Sequence, residues 1–361
     1  MFTYAGNIHI HSSYSDGSGS IEEIAKAAAK AGLDYIVITD HETMLGRREE
    51  GRYGKVVVLV GVELNRRANH YLALNLDRVV AGDEEDPQQM IDQVARRGGF
   101  GFLAHPFERG SPFIGRGAAF PWDRWPVFRF QGIELWNYSS QWRGSCQSLP
   151  RALFHYFFNR NAPFRQGPPP DALRLWDCYT RRQRVAAIGG SDAHASIVPL
   201  LGPFSLVIFP YPFIFRTINT YVVLEAPLED DFSRAREQIL RALREGSCYI
   251  SYDRLHPGRG FRFEVRKGSL PYAMGSELPF QEGLSLHLES PAGKRSLLRL
   301  IKDGKLVFQG RQQSLHYPVT APGVYRAEVF YRPGCGRSPR PWIYSNPIYI
   351  RGASVGSGLE L

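Results

Sequence analysis

His9 and His11 stand two apart on the apolar run Asn7-Ile8-His9-Ile10-His11, and a Ser/Gly loop follows with Asp16-Gly17. On a β-strand, residues i and i+2 share a face, so the two imidazoles can chelate one cation and the loop can return Asp16 to it. Ring nitrogens combined with carboxylates suit Zn, Mn or Fe better than Ca or Mg. More side chains of this kind follow, in Thr39-Asp40-His41, Gly61-Val62-Glu63, Ala104-His105-Pro106 and Ser191-Asp192-Ala193-His194, with His70 between the second and third. A mononuclear site takes about four ligands. His9, His11, Asp16, His41, Glu63, His70, His105, Asp192 and His194 make nine. That is enough for two or three ions sharing carboxylates, with Glu63 and Asp192 the candidates to bridge. The plainer alternatives are a pair of strand histidines before a turn, and His70 as a polar residue opening a strand. Water on such an ion falls from a pKa near 16 to about 7, and a second ion clamps phosphoryl oxygens, so the chemistry expected is hydrolysis. No G-x-S-x-G elbow occurs, and Gly115-Arg116-Gly117 is too short for a phosphate loop.

These residues need elements to hold them. Ser20 with Glu23 three on makes a capping box, and Gly32 closes the helix it opens. Apolar strands are predicted over 34–39, 56–64, 71–76, 99–104, 132–136, 185–189 and 220–224, with helices over 87–97, 149–158 and 230–245. Strands apolar throughout and alternating with helices imply a parallel sheet covered on both faces. His41, Glu63, His105, Asp192 and His194 each fall at or just past a strand's C-terminal end. In a β/α barrel those ends open on one face, where residues far apart in sequence converge. Beyond position 255 the style changes to short segments with a period-2 tendency (261–265, 284–288, 297–301, 325–330 and 343–350), punctuated by Asp303-Gly304 and Pro322-Gly323. The expected division is a barrel over 1–255, an antiparallel β-sandwich over 256–351 and a tail over 352–361.

Taken in order, H-x-H-x4-D-G, T-D-H, G-V-E, A-H-P and S-D-A-H resemble the polymerase and histidinol phosphatase (PHP) superfamily over residues 1 to about 255. The resemblance implies an α/β fold, a distorted (β/α)7 TIM-like barrel, with two or three divalent ions (Zn, Mn or Fe) and hydrolysis of phosphate esters by a metal-bridging hydroxide. Motif by motif it carries the ligand role to His9, His11, Asp16, His41, Glu63, His105, Asp192 and His194; the histidine matching His70 is more variably placed among relatives. Glu63, Asp192 and His194 are expected at the reacting centre. The C-terminal part, with Pro341-Trp342-Ile343-Tyr344-Ser345-Asn346-Pro347, resembles a branch near carbamate hydrolases. A carbamate, ester or amide bond therefore stands beside the phosphate ester as the alternative.

Arg109, Arg116 and Arg143 follow strand ends and are candidates to hold a substrate phosphate, or are surface arginines. Trp136, Asn137, Tyr138 and Trp142 read as a stacking platform or as cover for the barrel rim. Asp40 either orients His41 or caps a turn, and His155, among aromatics, reads as core or interface. The apolar Pro199–Phe215 stretch reads as a lid, a contact surface or ordinary core. Fifteen of the 44 basic residues but only seven of the 35 acidic ones follow position 255. A polyanion-binding role for the C-terminal module, nucleic acid included, is thus a third reading, against the blander one of Arg-rich codon usage. The expected partner is a small-molecule or nucleotide phosphate. No stretch suits a membrane span, no signal pattern opens the chain, and the four cysteines are widely spaced; a cytoplasmic, disulfide-free protein that binds no membrane is expected.

Overall fold

Ser20 takes the N–H of Glu23, whose carboxylate takes the N–H of Ser20, and Gly32 at φ 84° ends the first helix, α1 (Ile21–Ala31). The capping box and the left-handed stop fall where local chemistry requires them. The computed structural model describes residues 1–114, 117–199, 204–334 and 337–352. Arg116, Cys335 and the tail from 353 lie outside the described residues.

In chain order the strands of the first part are β1 (Phe2–Ile10), β2 (Tyr35–Ile38), β3 (Gly51–Tyr53), β4 (Val56–Val60), β5 (Val62–Leu64), β6 (Tyr71–Leu74), β7 (Phe100–Leu103), β8 (Gly132–Asn137), β9 (Ala186–Gly190), β10 (Ile197–Pro199), β11 (Ser205–Val207), β12 (Ile218–Leu224) and β13 (Cys248–Tyr252). Between them run α2 (Pro87–Arg96), α3 (Tyr138–Ser145), α4 (Leu149–Phe157), α5 (Pro170–Thr180), α6 (Tyr211–Ile214) and α7 (Phe232–Glu245). One sheet has the order β3-β4-β2-β1-β12-β13 and continues into the C-terminal part; a second has the order β5-β6-β7-β8-β9. Inward side chains of both, among them Ile8, Val37, Leu72, Phe102, Ile188 and Val222, share one core that α7 closes with Ile239 and Leu243. The sheets join through isolated bridges, Ile10 to Ala193 and His41 to Glu63. Both bridges lie at the ligand-type motifs.

The expectation of a wholly parallel sheet is corrected. β1, β2 and β4 are parallel, as are β7, β8 and β9, but β5, β6 and β7 pair antiparallel, and so do β1, β12 and β13. A short loop such as 65–70 can only join antiparallel neighbours. The apolar composition of β12 and β13 reports burial on both faces, which an antiparallel strand covered on both sides shares.

After position 255 come β14 (Arg262–Lys267), β15 (Leu270–Ala273), β16 (Glu277–Pro279), β17 (Leu284–Glu289), β18 (Ser296–Lys302), β19 (Lys305–Gly310), β20 (Ser314–Pro318), β21 (Gly323–Tyr331), β22 (Arg340–Ser345) and β23 (Ile348–Arg351). β15-β14-β17-β20 form an antiparallel sheet, whereas β22 pairs with β13, so the first sheet runs without a break into β21, β23 and β16. Asn346 seals this joint: its Oδ1 accepts from Ala187 N at 2.7 Å, and its Nδ2 donates to Ala187 O and Cys248 O, each at 2.8 Å. Buried Arg326 adds a second tie, donating to both oxygens of Asp177 on α5 at 2.8 and 2.9 Å and to Glu328 at 2.6 Å. Part of the Pro341–Pro347 motif thus holds the two parts together. Cys146, Cys178 and Cys248 are free thiols. Among the described residues no helix is long and apolar enough to cross a membrane.

Candidate metal centre

Glu63 lies on β5, 1 % exposed, with imidazoles around both of its oxygens. His70 Nδ1 and His105 Nε2 lie 2.8 and 3.3 Å from Oε1; His9 Nε2, His11 Nε2 and His41 Nδ1 lie 3.0, 3.3 and 3.4 Å from Oε2. Asp192 Oδ1 faces His9, His11 and His194 at 3.4–3.5 Å. Asp16, its side chain 56 % exposed, closes the outer side, 3.5 Å from His11, 3.3 Å from His194 and 3.8 Å from His41. All nine ligand-type residues therefore meet, in four overlapping groups whose ligand atoms lie within 4.8 Å of one another.

The backbone bends to achieve this. His9 has φ 67° and is the extra residue of a bulge between Ile8 and Ile10 in the β1–β2 pairing. Simple strand alternation is therefore not what aims His9 and His11. Ile8 and Ile10, two apart, even pack into different cores. His105 and Asp192 also adopt positive φ, 27° and 53°. Residues held in such conformations cost on the order of 1–3 kcal/mol each and cluster at functional sites. Gly17 permits the loop to close, since a Cβ there would lie 2.1 Å from His11 O. Asp40 holds the same loop, accepting from Ser12 N, Ser12 Oγ and Ser15 Oγ at 2.6–2.7 Å. It does not orient His41.

Two acids escaped the sequence reading. Glu134, buried on β8, sits 3.0 Å from His9 Nδ1 through Oε1 and accepts from His105 N and Asn137 Nδ2 through Oε2, each at 2.9 Å. Buried Glu108 lies 3.4 Å from His105 Nδ1 and 2.9 Å from Arg143 Nη1. An acid inside the apolar run Gly132–Trp136 was the available signal, because a buried charge must be paired.

Burial alone would lower His11 and His105, but the facing carboxylates outweigh it and push both up to about 9. The same balance raises His9 well above the ordinary imidazole range. Burial dominates at His41, which falls to about 4. Glu63 and Asp192 are held well below the usual carboxylate range by the surrounding histidines, although burial opposes this. The pocket's field thus favours positive charge at its centre. The ring nitrogens His9 Nε2, His11 Nε2, His41 Nδ1 and His70 Nε2 are buried without a hydrogen-bond partner. Several lone pairs aimed at shared carboxylates, without hydrogen-bond geometry between them, fit divalent cations.

A cavity of about 970 Å³ opens over the cluster, walled by Trp142, Phe120, Ile114 and Phe209 and bordered by Arg143. Arg143 donates to Ala118 O at 2.6 Å, and its guanidinium lies 5.5 Å from the Phe120 ring centre. Arg109 is exposed, 3.9 Å from Asp171, and lines a separate cavity of about 640 Å³ behind His105. The structure therefore brings Arg143 to the site but not Arg109. The platform reading fails for Trp136 and Tyr138, both fully buried: Trp136 packs on Tyr252 and Tyr344, and Tyr138 stacks on Phe164. Asn137 caps α3, Trp142 is cavity wall, and His155 is buried with Nδ1 3.1 Å from Ser145 Oγ.

Residues 7–104 match the family model of the PHP domain. The chain is 28% identical over 146 residues to an uncharacterised protein of Methanocaldococcus jannaschii, a match covering 36% of this chain and 80% of that one. It is 37% identical over 86 residues to the DNA polymerase/3'-5' exonuclease PolX of Bacillus subtilis, covering 22% of this chain and 14% of that one. It is 32% identical over 80 residues to the phosphoribosyl 1,2-cyclic phosphate 1,2-diphosphodiesterase of Eggerthella lenta, covering 20% of this chain and 30% of that one. The chain thus spans under a third of the latter two relatives. A crystal structure of a two-domain protein of Bacteroides vulgatus containing a predicted PHP-like metal-dependent phosphoesterase aligns at TM-score 0.42 and 15% identity, over 96% of this chain and 95% of that one.

Proposed function

We propose that this protein is a metal-dependent hydrolase of phosphate esters, working at the cluster around Glu63 and Asp192. The observation that carries this reading is the ring of five imidazoles on the two oxygens of one buried carboxylate. In it, His9, His11, Asp16, His41, Glu63, His70, His105, Asp192 and His194 hold two or three divalent ions. Zn, Mn or Fe suits the donor set. Such ions acidify water and neutralise charge on phosphoryl oxygens. Around them the chain's own residues prepare the site: Glu134 fixes the His9 ring, Glu108 the His105 ring, and Arg143 offers a guanidinium to a phosphate entering the cavity. The names of two of the relatives, a DNA polymerase/3'-5' exonuclease and a phosphoribosyl 1,2-cyclic phosphate 1,2-diphosphodiesterase, support phosphorus as the target. We read the two facing sheets as a distorted (β/α)7 TIM-like barrel with an appended β-sandwich.

Chelated protein should be inactive on an aryl phosphate and regain turnover with Mn or Zn. An aryl carbamate run in parallel separates the two bonds: turnover of the carbamate alone would replace this reading with the carbamate one.

A further inference from the structure

Helix α4 is turned inside out. Its buried face is Ala152, His155 and Tyr156, whereas Leu149, Leu153, Phe154 and Phe157 point to solvent and the next residue, Phe158, is 82 % exposed. Beside it run the paired strands β10 and β11, tied to α4 by Tyr156 Oη donating to Val207 O at 3.2 Å. The pair exposes Ile197 and Val198, and Phe204, at 70 % exposure, precedes β11. Leu149, Phe154, Phe157, Phe158, Ile197 and Phe204 are each more than half exposed, and Phe154 stacks on Phe158, so large apolar side chains gather here rather than standing singly.

The charge around this face selects its partner. Segments 144–170 and 195–215 contain Arg151, Arg160 and Arg165 and no Asp or Glu. Arg151 and Arg165 are exposed, and Arg160 stacks over Tyr156 and Phe213. Two copies meeting on this face would bring the arginines of these segments toward one another, with Asp171 beside Arg151 and Arg165 as the nearby acid. Protruding aromatic and aliphatic side chains on two segments that hold three arginines and no acid complement an anionic lipid surface. The sequence excluded a membrane span, and a face that lies on a bilayer needs none.

From this we infer that α4 and the paired strands β10 and β11 dock the protein on the surface of an anionic bilayer. Val198 belongs both to the exposed strand pair and to the wall of the metal cavity, so the docked face borders the cavity mouth. If the phosphoesterase reading also holds, phosphate esters carried at that surface are the substrates nearest to hand.

The test is co-sedimentation of the full chain with phosphatidylglycerol vesicles and, separately, with phosphatidylcholine vesicles, repeated for the double variant Phe158→Ser/Phe204→Ser. Wild-type protein should pellet with the anionic vesicles, at least tenfold more strongly than with the neutral ones, and be released by high salt. The double variant should bind at least tenfold more weakly while keeping its unfolding midpoint. Equal binding by variant and wild type, or no binding to anionic vesicles, would overturn the inference. So would a wild-type dimer that the double variant converts to monomer in light scattering, which gives the face to a second copy. Sedimentation needs no turnover, so failure of the hydrolase reading would appear only in the aryl phosphate assay.

Discussion

Replacing Glu134 by Gln should cost the centre much of its metal affinity, although Gln has nearly the same shape. Glu134 Oε2 receives two N–H groups, from His105 N and Asn137 Nδ2, so the position it occupies must stay an acceptor. In the variant the amide oxygen takes that place and the NH2 turns to where Oε1 now meets His9 Nδ1 at 3.0 Å. With the carboxylate, the network assigns the His9 proton to Nδ1 and leaves the Nε2 lone pair facing Glu63 and Asp192. With the amide, Nδ1 must accept, the proton moves to Nε2, and the lone pair aimed at the cluster is lost. Outer partners of metal-ligating histidines are typically worth 10–100-fold in affinity, or about 1.4–2.7 kcal/mol. Glu134→Ala, which leaves Nδ1 free to donate to water, should bind metal no worse than Glu134→Gln. Chelator competition for Mn or Zn on wild type and both variants measures this. Wild-type affinity in Glu134→Gln would refute the tautomer argument.

Other outcomes follow from the same geometry. Alanine at Asp192 or His194 should abolish turnover of an aryl phosphate while the circular dichroism spectrum is retained; full activity in either would sink the metal-centre assignment. Gly190→Ala would put a Cβ 1.8 Å from Glu134 Oε1. It should weaken metal binding as the Glu134 variants do, and the shorter acid in Gly190→Ala/Glu134→Asp should recover part of the loss in the chelator assay. Arg143→Ala should raise KM for a phosphate ester by about tenfold or more, in keeping with a charge-assisted pair, with little change in metal content; an unchanged KM removes it as anchor. Asn346→Ala strips partners from Ala187 N, Ala187 O and Cys248 O in the buried joint, and should lower stability by about 2–4 kcal/mol in urea titrations. A second, separate unfolding transition in that variant would show the two parts uncoupling.

The nine ligand-type side chains that the structure brings together were readable as a group before any fold was known, because metal ligation draws on few residue types and the motifs around them are local. The start and stop of α1 were readable for the same reason: a cap acts within one turn. Strand positions followed from apolar runs, but not their partners. Burial on both faces makes β12 look like a parallel strand, and only its register with β1 and β13 shows that it is antiparallel. Glu134 meets His9 from 125 positions away, and Arg143 meets Glu108 while Arg109 turns outward. Nothing in a local pattern distinguishes those arginines. The bulge at His9, the sheet that passes from β13 into β22, and the outward face of α4 belong to the same class. Composition and spacing set which chemistry the chain can attempt. Contacts between distant segments, decided by how the sheets close and pack, set which of those groups meet.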